Sequence, residues 1–301
     1  MKTAIKLENV SKTYDKKKVV DDLSFEIEEN TIVGFLGLNG AGKTTTFKLI
    51  NSQKPVTSGC IEIFGQPIDS KNPSKDIKFL QDVPEFYGYM SAKEYLTFIC
   101  QLNHLDNIPK RVDEALELVD MQKAKNKRIS SFSRGMKQRI GIASNIISSP
   151  KILLLDEFVS ALDPVGRKEV FDLLEKLRGK MTILFSSHVI DDIERVSDKI
   201  IIIHEGKKKM DSTIEELREQ FLSKVVELEF LNSTDKTVFL AEKEQFPIEE
   251  LEDKGHLLIT VENMEKFQTA IFSWLAEKNI ELRNFRIVTP SLEEIFIGSV
   301  K

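Results

Sequence analysis

Alternating apolar and polar residues dominate the first 65 residues of the chain. The alternation runs over residues 5–10, 23–27 and 60–64, and it predicts strands that bury one face. Between the last two of these segments, the short apolar run of residues 31–36 is followed by a glycine-rich stretch and then by a helical pattern over residues 44–51. A unit of strand, loop and helix therefore interrupts a region of half-buried strands.

The middle of the chain changes to helical spacing and then to compact apolar runs. Apolar residues recur at helical intervals over residues 91–148, which predicts a helical subdomain at about 90–148. Apolar runs follow at residues 151–155, 181–185 and 199–203, with a helical pattern at 170–177 between the first two. Apolar strands that alternate with helices indicate a parallel sheet buried on both faces.

The character of the sequence changes again after Met210. The pattern predicts helices at residues 214–222 and 291–297, a further helix that buries Phe267, Ile271, Trp274 and Leu275, and strands at residues 224–230, 237–240, 256–261 and 281–288. We therefore expect a domain boundary near residues 211–222, which separates residues 1–215 from a small α+β domain at 216–301.

Composition narrows the class of protein. Of the 301 residues, 41% are hydrophobic and 30% are charged, as in a folded globular protein large enough for two domains. The net charge of -5 argues against a nucleic-acid partner. The longest aliphatic run, residues 200–203, is too short to span a bilayer and there is no signal-peptide core, so we expect a cytoplasmic protein. Cys60 and Cys100 have no zinc-site spacing.

The glycine-rich stretch carries a phosphate-binding motif. Residues 37–44 read Gly-Leu-Asn-Gly-Ala-Gly-Lys-Thr and match G-x-x-x-x-G-K-[ST] at every position. Gly37, Gly40 and Gly42 allow backbone N–H groups to turn toward phosphates at a helix N-terminus. Lys43 supplies positive charge to the β and γ oxygens, and Thr44 supplies a hydroxyl to Mg²⁺. The motif predicts ATP and Mg²⁺ as ligands.

Three further residues extend this chemistry. Asp156 and Glu157 follow a buried strand, which places two carboxylates at the carboxyl edge of the sheet, where ligands of such folds bind. Asp156 suits Mg²⁺, and Glu157 suits a general base for the water that attacks the γ-phosphate. His188 follows the next apolar run and can donate a hydrogen bond to the same phosphate or to the water at the metal site. We expect hydrolysis of ATP.

The motifs together resemble one family. Residues 1 to about 215 look like the nucleotide-binding subunit of an ATP-binding cassette (ABC) transporter, in which residues 37–44 are similar to Walker A, 132–139 to the signature, 152–156 to Walker B and 160–163 to the D-loop. This resemblance implies a P-loop NTPase cassette of α/β class, with a mixed sheet core, an N-terminal antiparallel β subdomain and a helical subdomain. His188 is then the switch histidine.

The resemblance also implies the roles of individual residues. Tyr14 is the aromatic residue that stacks on adenine, and Gln81 is the Q-loop residue that reaches Mg²⁺, with Asp82 as the alternative. The implied ATP-binding residues are Tyr14, Gly37, Leu38, Asn39, Gly40, Ala41, Gly42, Lys43, Thr44, Thr45, Gln81, Ser133, Gly135 and Gln138. The implied metal ligands are Thr44, Gln81 and Asp156, and the implied catalytic residues are Lys43, Glu157 and His188.

The same resemblance implies partners. Two cassettes pack head to tail on ATP, so that Ser133 and Gly135 of one copy cap the γ-phosphate held by the other, in a homodimer or with a related cassette subunit. Separate membrane permease subunits do the transport, which places this chain on the cytoplasmic face of the membrane. The aromatic run at residues 86–90 fits a permease-docking surface, with core packing as the alternative. The carboxyl-terminal part, which ends at residues 290–297, resembles the small accessory domain on the cassette subunits of bacterial drug, bacteriocin or polysaccharide exporters.

The motifs depart from the commonest family pattern at several positions. Arg134 replaces the first glycine of the signature, Phe132 replaces leucine, and Phe158 follows Walker B where proline is usual. Ala161 replaces glycine in the D-loop. Two other functions stay open at this point: a soluble ABC ATPase that acts outside transport, and an ATP-binding regulatory or immunity partner of a membrane protein.

Overall fold

The computed structural model describes residues 2–160, 162–220, 225–253 and 255–288. Within these ranges the chain divides into two compact units, one that ends at Ile214 and one that begins at Glu215. None of the helices in these ranges has the length and apolar character needed to cross a membrane.

The first unit contains ten strands and six helices within the described residues. In chain order these are β1 (Thr3–Tyr14), β2 (Lys17–Glu28), β3 (Ile32–Leu36), α1 (Lys43–Ile50), β4 (Ser58–Ile63), β5 (Gln66–Ile68), β6 (Ile77–Leu80), α2 (Ala92–Leu102), α3 (Ile108–Leu118), α4 (Arg134–Ile146), β7 (Ile152–Leu155), α5 (Pro164–Leu177), β8 (Thr182–Ser187), α6 (Ile190–Val196), β9 (Lys199–His204) and β10 (Lys207–Thr213).

The half-buried strands of the N-terminal region form an antiparallel sheet in the order β2-β1-β4-β5. Ile5 and Leu7 of β1 are buried in a common apolar core, whereas the intervening Lys6 forms an ion pair of 2.6 Å with Glu8. The alternation thus puts one face against the core and the other toward solvent. The predicted antiparallel β subdomain is confirmed, with β1 and β2 longer than predicted.

The second sheet has the order β10-β9-β3-β8-β7-β6. Strands β6, β7, β8, β3 and β9 pair in parallel, and β10 pairs antiparallel with β9, so the sheet is mixed as expected. Every residue of β3, β7 and β8 is buried, as a sheet covered on both faces requires. The carboxyl ends of β3, β8 and β7 are adjacent, and the three chemistry-bearing segments begin there.

Helices α2, α3 and α4 form the predicted helical subdomain. Helix α2 starts at a capping box, in which Ser91 Oγ accepts from the Glu94 N–H at 3.2 Å and Glu94 Oε2 accepts from the Ser91 N–H at 2.8 Å. Ser133 caps α4 in the same manner, because its Oγ accepts from the Met136 N–H at 3.2 Å. The signature segment therefore lies at a helix N-terminus.

The second unit is a four-stranded antiparallel sheet with helices. After α7 (Ile214–Gln220), which begins at the boundary, its elements are β11 (Val225–Phe230), α8 (Ser233–Ala241), β12 (Ile248–Asp253), β13 (Leu257–Val261), α9 (Met264–Lys278) and β14 (Leu282–Val288). The strand order is β12-β13-β11-β14. Chain order β-α-β-β-α-β with this pairing is the ferredoxin-like arrangement. The expected α+β class is confirmed.

One strand predicted for this unit is wrong. Residues 237–240 lie in helix α8 instead of a strand, and β12, which the sequence pattern did not predict, takes the place of the missing strand. Only Phe239 of α8 is buried, where it packs among other aromatic rings. Tertiary packing of one ring thus outweighs the strand preference of a short apolar run. The predicted helix at residues 291–297 lies outside the described residues.

Candidate nucleotide site

The phosphate loop connects β3 to α1 in the predicted order. The backbone at Gly40 and Gly42 is left-handed, with φ of 83° and 108°. A Cβ on Gly42 would lie 2.7 Å from the carbonyl oxygen of Val19, so both conformation and space require glycine there. The loop and the first turn of α1 hold nine of the predicted ATP-binding residues: Gly37, Leu38, Asn39, Gly40, Ala41, Gly42, Lys43, Thr44 and Thr45.

Lys43 is buried at the centre of this loop, with 5% of its side chain exposed. Its Nζ donates to the carbonyl oxygens of Gly37 at 2.7 Å and Leu38 at 3.3 Å, and it lies 2.9 Å from Oε1 of Glu157. Three oxygen atoms therefore surround one ammonium group. Phosphate oxygens are stronger partners for Lys43 than neutral carbonyls, because their negative charge adds Coulomb attraction to the hydrogen bond.

Asp156 is buried at the end of β7. Its Oδ1 accepts a hydrogen bond from Ser186 Oγ at 2.6 Å. Burial raises the pKa of Asp156, whereas the hydrogen bonds from Ser186 and Thr44 and the charge of Lys43 act in the opposite direction. A carboxylate that is buried beside a threonine hydroxyl is a suitable ligand pair for Mg²⁺, which would favour the ionised form. The residues present therefore fit the predicted metal.

Glu157 occupies a strained backbone position, and its side chain lies between those of Lys43 and His188. Its φ is 45°, and its N–H donates to Ser186 Oγ at 2.9 Å, which holds the turn after β7. Its Oε2 lies 2.8 Å from His188 Nδ1. Because an ionised carboxylate can only accept, Nδ1 carries the proton of this bond. The turn thus directs the carboxylate between Lys43 and His188.

The two oxygens of Glu157 differ in their partners. Oε1 is buried and accepts no hydrogen bond of good geometry from the described residues, although Lys43 Nζ lies 2.9 Å away. That contact is an ion pair, so this buried oxygen retains a lone pair for which the described residues supply no hydrogen-bond donor. This is the arrangement that a general base requires.

Lys43 and Glu157 line a cleft of about 190 Å³. Its lining residues are Val19, Asn39, Gly40, Gly42, Lys43, Thr44, Thr45 and Glu157. A larger cavity of about 400 Å³ lies at the start of β7 and β8 and is lined by residues such as Arg111 and Lys151. None of the predicted site residues lines that larger cavity, whereas Gly40, Gly42, Lys43 and Thr44 of the predicted phosphate loop line the smaller cleft.

Two predicted ligands lie at the ends of strands. Tyr14 is the last residue of β1, with 39% of its side chain exposed, and Lys12 Nζ lies 5.1 Å from its ring centre. Gln81 is exposed directly after β6, whose last residue pairs with the residue before Asp156. The alternative, Asp82, has its Oδ1 engaged by Ser160 Oγ at 3.1 Å.

The signature residues divide into two groups. Ser133, Arg134 and Gly135 lie at the N-terminus of α4, where the first two are exposed. Gln138 instead is 4% exposed, and its Nε2 donates to the carbonyl oxygens of Phe158 at 2.6 Å and Asp82 at 3.3 Å. Gln138 therefore ties α4 to the loops that follow β7 and β6, and its amide is engaged within the chain.

Sequence reasoning missed one contributor to the site. Ser186 contacts both carboxylate-bearing residues, since its hydroxyl donates to Asp156 and accepts from the N–H of Glu157. The sequence signal was its position two residues before His188, but only the pairing of β7 with β8 shows which residues it meets. Of the D-loop, the structure describes all residues except Ala161.

Known proteins resemble this chain over nearly its whole length. The family model described as ABC transporter matches residues 20–160, and the model of the C-terminal domain of DrrA1-3-like ATP-binding proteins matches residues 213–300. The bacitracin transport ATP-binding protein BcrA of Bacillus licheniformis is 35% identical over 301 residues, which cover 99% of this chain and 97% of that protein. The chain belongs to the ATP-binding proteins of ABC transporters.

Two further comparisons cover most of this ABC protein. The uncharacterised ABC transporter ATP-binding protein YxlF of Bacillus subtilis is 34% identical over 98% of this chain and 99% of its own length. The structure of cbiO1 from Clostridium perfringens, part of the ABC transporter complex cbiONQ, aligns with a TM-score of 0.66 and 25% identity, covering 82% of this chain and 97% of that one. The protein is an ATP-binding ATPase of α/β cassette fold.

Proposed function

We propose that the protein hydrolyses ATP with Mg²⁺, dimerises head to tail on ATP and energises export through separate membrane permease subunits. The contact of Glu157 with both Lys43 and His188 carries this proposal, because it joins the phosphate loop, a general base and a histidine in one cluster. A protein that only bound ATP would not need Glu157 and His188 at this position.

Binding of ATP changes the partners of Lys43. Oxygens of the β- and γ-phosphates of ATP replace the carbonyls of Gly37 and Leu38 as partners of the ammonium group, and they compete with Glu157 for it. The N–H groups of the loop and the N-terminus of α1 supply the rest of the phosphate cradle. Tyr14, exposed at the end of β1, offers its ring to adenine.

Thr44, Asp156 and Gln81 are the residues that would hold Mg²⁺. Bound there, the ion would neutralise charge on the phosphates as it develops. Thr44 already hydrogen-bonds to Asp156, so the hydroxyl and the carboxylate are brought together by the chain itself. Gln81 is exposed at the adjacent strand end and joins them from β6.

Glu157 orients and deprotonates the attacking water. The release of Lys43 to the phosphates leaves Oε1 to accept from water, while Oε2 stays hydrogen-bonded to His188 at 2.8 Å. The ring thereby keeps the carboxylate in one rotamer, and its Nε2 donates to the γ-phosphate when the ring carries a proton on both nitrogens. Hydrolysis then depends on Lys43, His188 and Glu157, which follow the adjacent strands β3, β8 and β7.

The second copy completes the site. Ser133 and Arg134 are exposed at the N-terminus of α4, a helix of 13 residues whose free N–H groups attract an anion. In a head-to-tail pair this terminus would face the γ-phosphate held by the partner. Arg134 would add a positive charge there, so we propose that it supports the composite site.

The aromatic run at residues 86–90 is proposed as the permease-docking surface. Tyr87 and Tyr89 are 50% and 69% exposed, and their rings lie 6.0 Å apart. Tyr87 also packs edge-on against Phe98 of α2 at 5.8 Å, which fixes the pair on the surface. Exposed, anchored aromatic residues are typical of protein interfaces. The permease would hold this protein on the cytoplasmic face of the membrane.

ATP-dependent dimerisation tests this function directly. In Glu157→Gln, which binds ATP without turning it over, we expect light scattering to show a dimer with Mg²⁺-ATP and a monomer without nucleotide. Adding Ser133→Arg blocks the composite site and returns the monomer, whereas Ser131→Arg, an exposed change two residues earlier, leaves the dimer intact. A dimer that forms equally without ATP, or that survives Ser133→Arg, contradicts the head-to-tail proposal.

A further inference from the structure

A serine hydroxyl closes the turn that carries His188. Ser187 is 2% exposed, and its Oγ accepts from the Val189 N–H at 2.9 Å, two residues along the chain. His188 lies between these two residues, so this bond sets the direction in which the imidazole leaves β8. The position of the ring over Glu157 therefore depends on where the Ser187 hydroxyl is held.

The carboxylate of Asp192 holds that hydroxyl. Asp192 lies in the first turn of α6 and is 3% exposed, and its Oδ2 accepts from Ser187 Oγ at 3.2 Å. Its Oδ1 lies 3.4 Å from a guanidinium nitrogen of Arg167. Burial raises the pKa of Asp192, and the nearby Arg167 and Ser187 oppose that rise. A buried carboxylate persists only with such partners.

Arg167 connects this group to the D-loop. It lies in the first turn of α5, and its backbone N–H donates to the carbonyl oxygen of Asp163 at 2.9 Å. Asp163, the last D-loop residue, caps the same helix, because its Oδ1 accepts from the Gly166 N–H at 2.7 Å. A continuous set of contacts thus runs from the end of the D-loop through Asp192 to the turn of His188.

Capping of α6 does not account for Asp192. An acidic residue in a first turn usually accepts from the free N–H groups there, but α6 has no side-chain cap and both oxygens of Asp192 contact other elements. Asp191 precedes it in the same turn and already supplies negative charge to the helix N-terminus. The burial of a second carboxylate serves the contacts to Ser187 and Arg167.

We propose that Asp192 is a positioning residue for ATP hydrolysis: through Ser187 it fixes the turn that places His188 against Glu157, and Arg167 fixes Asp192 relative to the D-loop helix. The inference rests on the proposed roles of Glu157 and His188. It predicts that the chemical step depends on Asp192, while the phosphate cleft, which Asp192 does not line, keeps its affinity for ATP.

The test is the kinetics of Asp192→Asn, measured per folded protein. We expect kcat to fall by roughly 10-fold to 100-fold, since misplacing a reacting group by about 1 Å costs up to about 100-fold, and KM for ATP to stay unchanged. Ser187→Ala should give a similar loss. The double variant should lose no more than either single variant, because both changes break the same connection.

The chain supplies a matched control. Asp172 of α5 and Arg195 of α6 join the same two helices at 3.3 Å, but on the exposed side and without contact to Ser187. Asp172→Asn should leave kcat and KM unchanged. Arg167→Lys, which keeps the charge, should retain more activity than Arg167→Met. If Asp192→Asn does not fold, Ser187→Ala and the Arg167 pair decide the question.

Other results overturn the inference. Equal kcat in Asp192→Asn and Asp172→Asn, or a double variant whose loss is the product of the two single losses, shows that Asp192 does not act through Ser187. The variant Glu157→Gln distinguishes an error in the role of Asp192 from an error in the proposed function. If Glu157→Gln abolishes hydrolysis and Asp192→Asn does not affect it, only the positioning role is rejected; if Glu157→Gln hydrolyses ATP normally, the assigned base itself is wrong.

Discussion

At the scale of single residues, the site is a set of charges that stabilise one another before nucleotide binds. Lys43, at 5% exposure, would be costly to bury alone, and the carboxylate of Glu157 at 2.9 Å offsets that cost. His188 takes the other oxygen of the same carboxylate. Removing the charge of Glu157 therefore takes a base from the chemical step and an ion-pair partner from Lys43.

The first prediction concerns Glu157→Gln. Loss of the base should lower the turnover of ATP by roughly 10²-fold to 10⁴-fold, whereas ATP affinity should be kept, because only the base function is lost. Steady-state hydrolysis and equilibrium binding of ATP measure the two effects. Glu114→Gln, an exposed change on α3, is the control. A variant that turns over ATP at nearly the rate of the unchanged protein would exclude Glu157 as the base.

The second prediction concerns Glu242 in the C-terminal unit. Its oxygens accept from Lys278 Nζ and from Nε1 of Trp274, both at 2.8 Å, and these bonds together with one from Gln245 lower the pKa of Glu242 to about 2. The pKa of Glu242 is therefore lower in the folded state than its ordinary value of 4.5. At pH values above 4.5 the ionised carboxylate stabilises the unit, and this stabilisation is lost as the pH falls from 4.5 toward about 2.

Glu242→Gln should therefore lower the urea midpoint at pH 7, and the gap to the unchanged protein should narrow as the pH falls below about 4.5. Fluorescence of Trp274, the only tryptophan in the chain, reports the transition. Glu244→Gln, an exposed change two residues along, should have no such effect. A gap that stays constant from pH 7 to pH 3 is the opposing result.

At the scale of elements, helix α8 shows how packing decides a short segment. Residues 237–240 are Thr, Val, Phe and Leu, and three of these are β-branched or aromatic, which favours a strand, yet the segment is helical. Phe239 is fully buried, with ring centres 5.4 Å from Phe230 and 5.7 Å from Trp274. A strand would have directed alternate residues inward instead of this one ring.

The third prediction follows from that packing. Phe239→Ala should destabilise the C-terminal unit by about 3 to 5 kcal/mol, because it removes a ring from a cluster that cannot fully collapse. Urea unfolding followed by the fluorescence of Trp274 measures the loss. Val238→Ala, at a half-buried neighbour, should cost clearly less. Equal costs for the two variants would mean that α8 is not held by Phe239.

The long segments followed their patterns closely. The parallel strands β3, β7, β8 and β9, the helical subdomain and the phosphate loop were predicted, because long apolar runs and repeated helical spacing leave few competing structures. The fifth parallel strand, β6, was not predicted, since its four residues include a lysine and form no clear apolar run. The bounds of β1 and β2 were not predicted either, since pairing between the two strands extends them to Tyr14 and Lys17 beyond the alternating part. Sequence pattern marks the buried part of a strand, and hydrogen bonding sets its ends.

At the scale of the whole molecule, the chain has two compact units with separate apolar cores. The residues that contact ATP in the proposed function all lie in the first unit, whereas Trp274 lies in the second. Ligand binding stabilises only the unit whose folded form it requires. The two units should therefore respond differently to nucleotide.

The fourth prediction uses this difference. In Glu157→Gln at 100 times the dissociation constant, Mg²⁺-ATP should stabilise the first unit by about 2.7 kcal/mol and leave the second nearly unchanged. Hydrogen exchange followed by mass spectrometry would show slower exchange in β3 and α1 but not in β11 and β13. Nucleotide without Mg²⁺ is the control, with weaker protection expected. Equal protection of both units would show that they unfold as one.

The amino-acid sequence was sufficient for the phosphate loop, the acidic pair and the family, because each rests on neighbouring residues whose spacing is read along the chain. The contacts among Lys43, Glu157 and His188, and those of Ser186 and Asp192, came only from folding. These residues are brought together by the parallel pairing of β3, β8 and β7, which places strand ends from distant parts of the chain side by side. Backbone hydrogen bonds between strands, absent from any local pattern, set those distances.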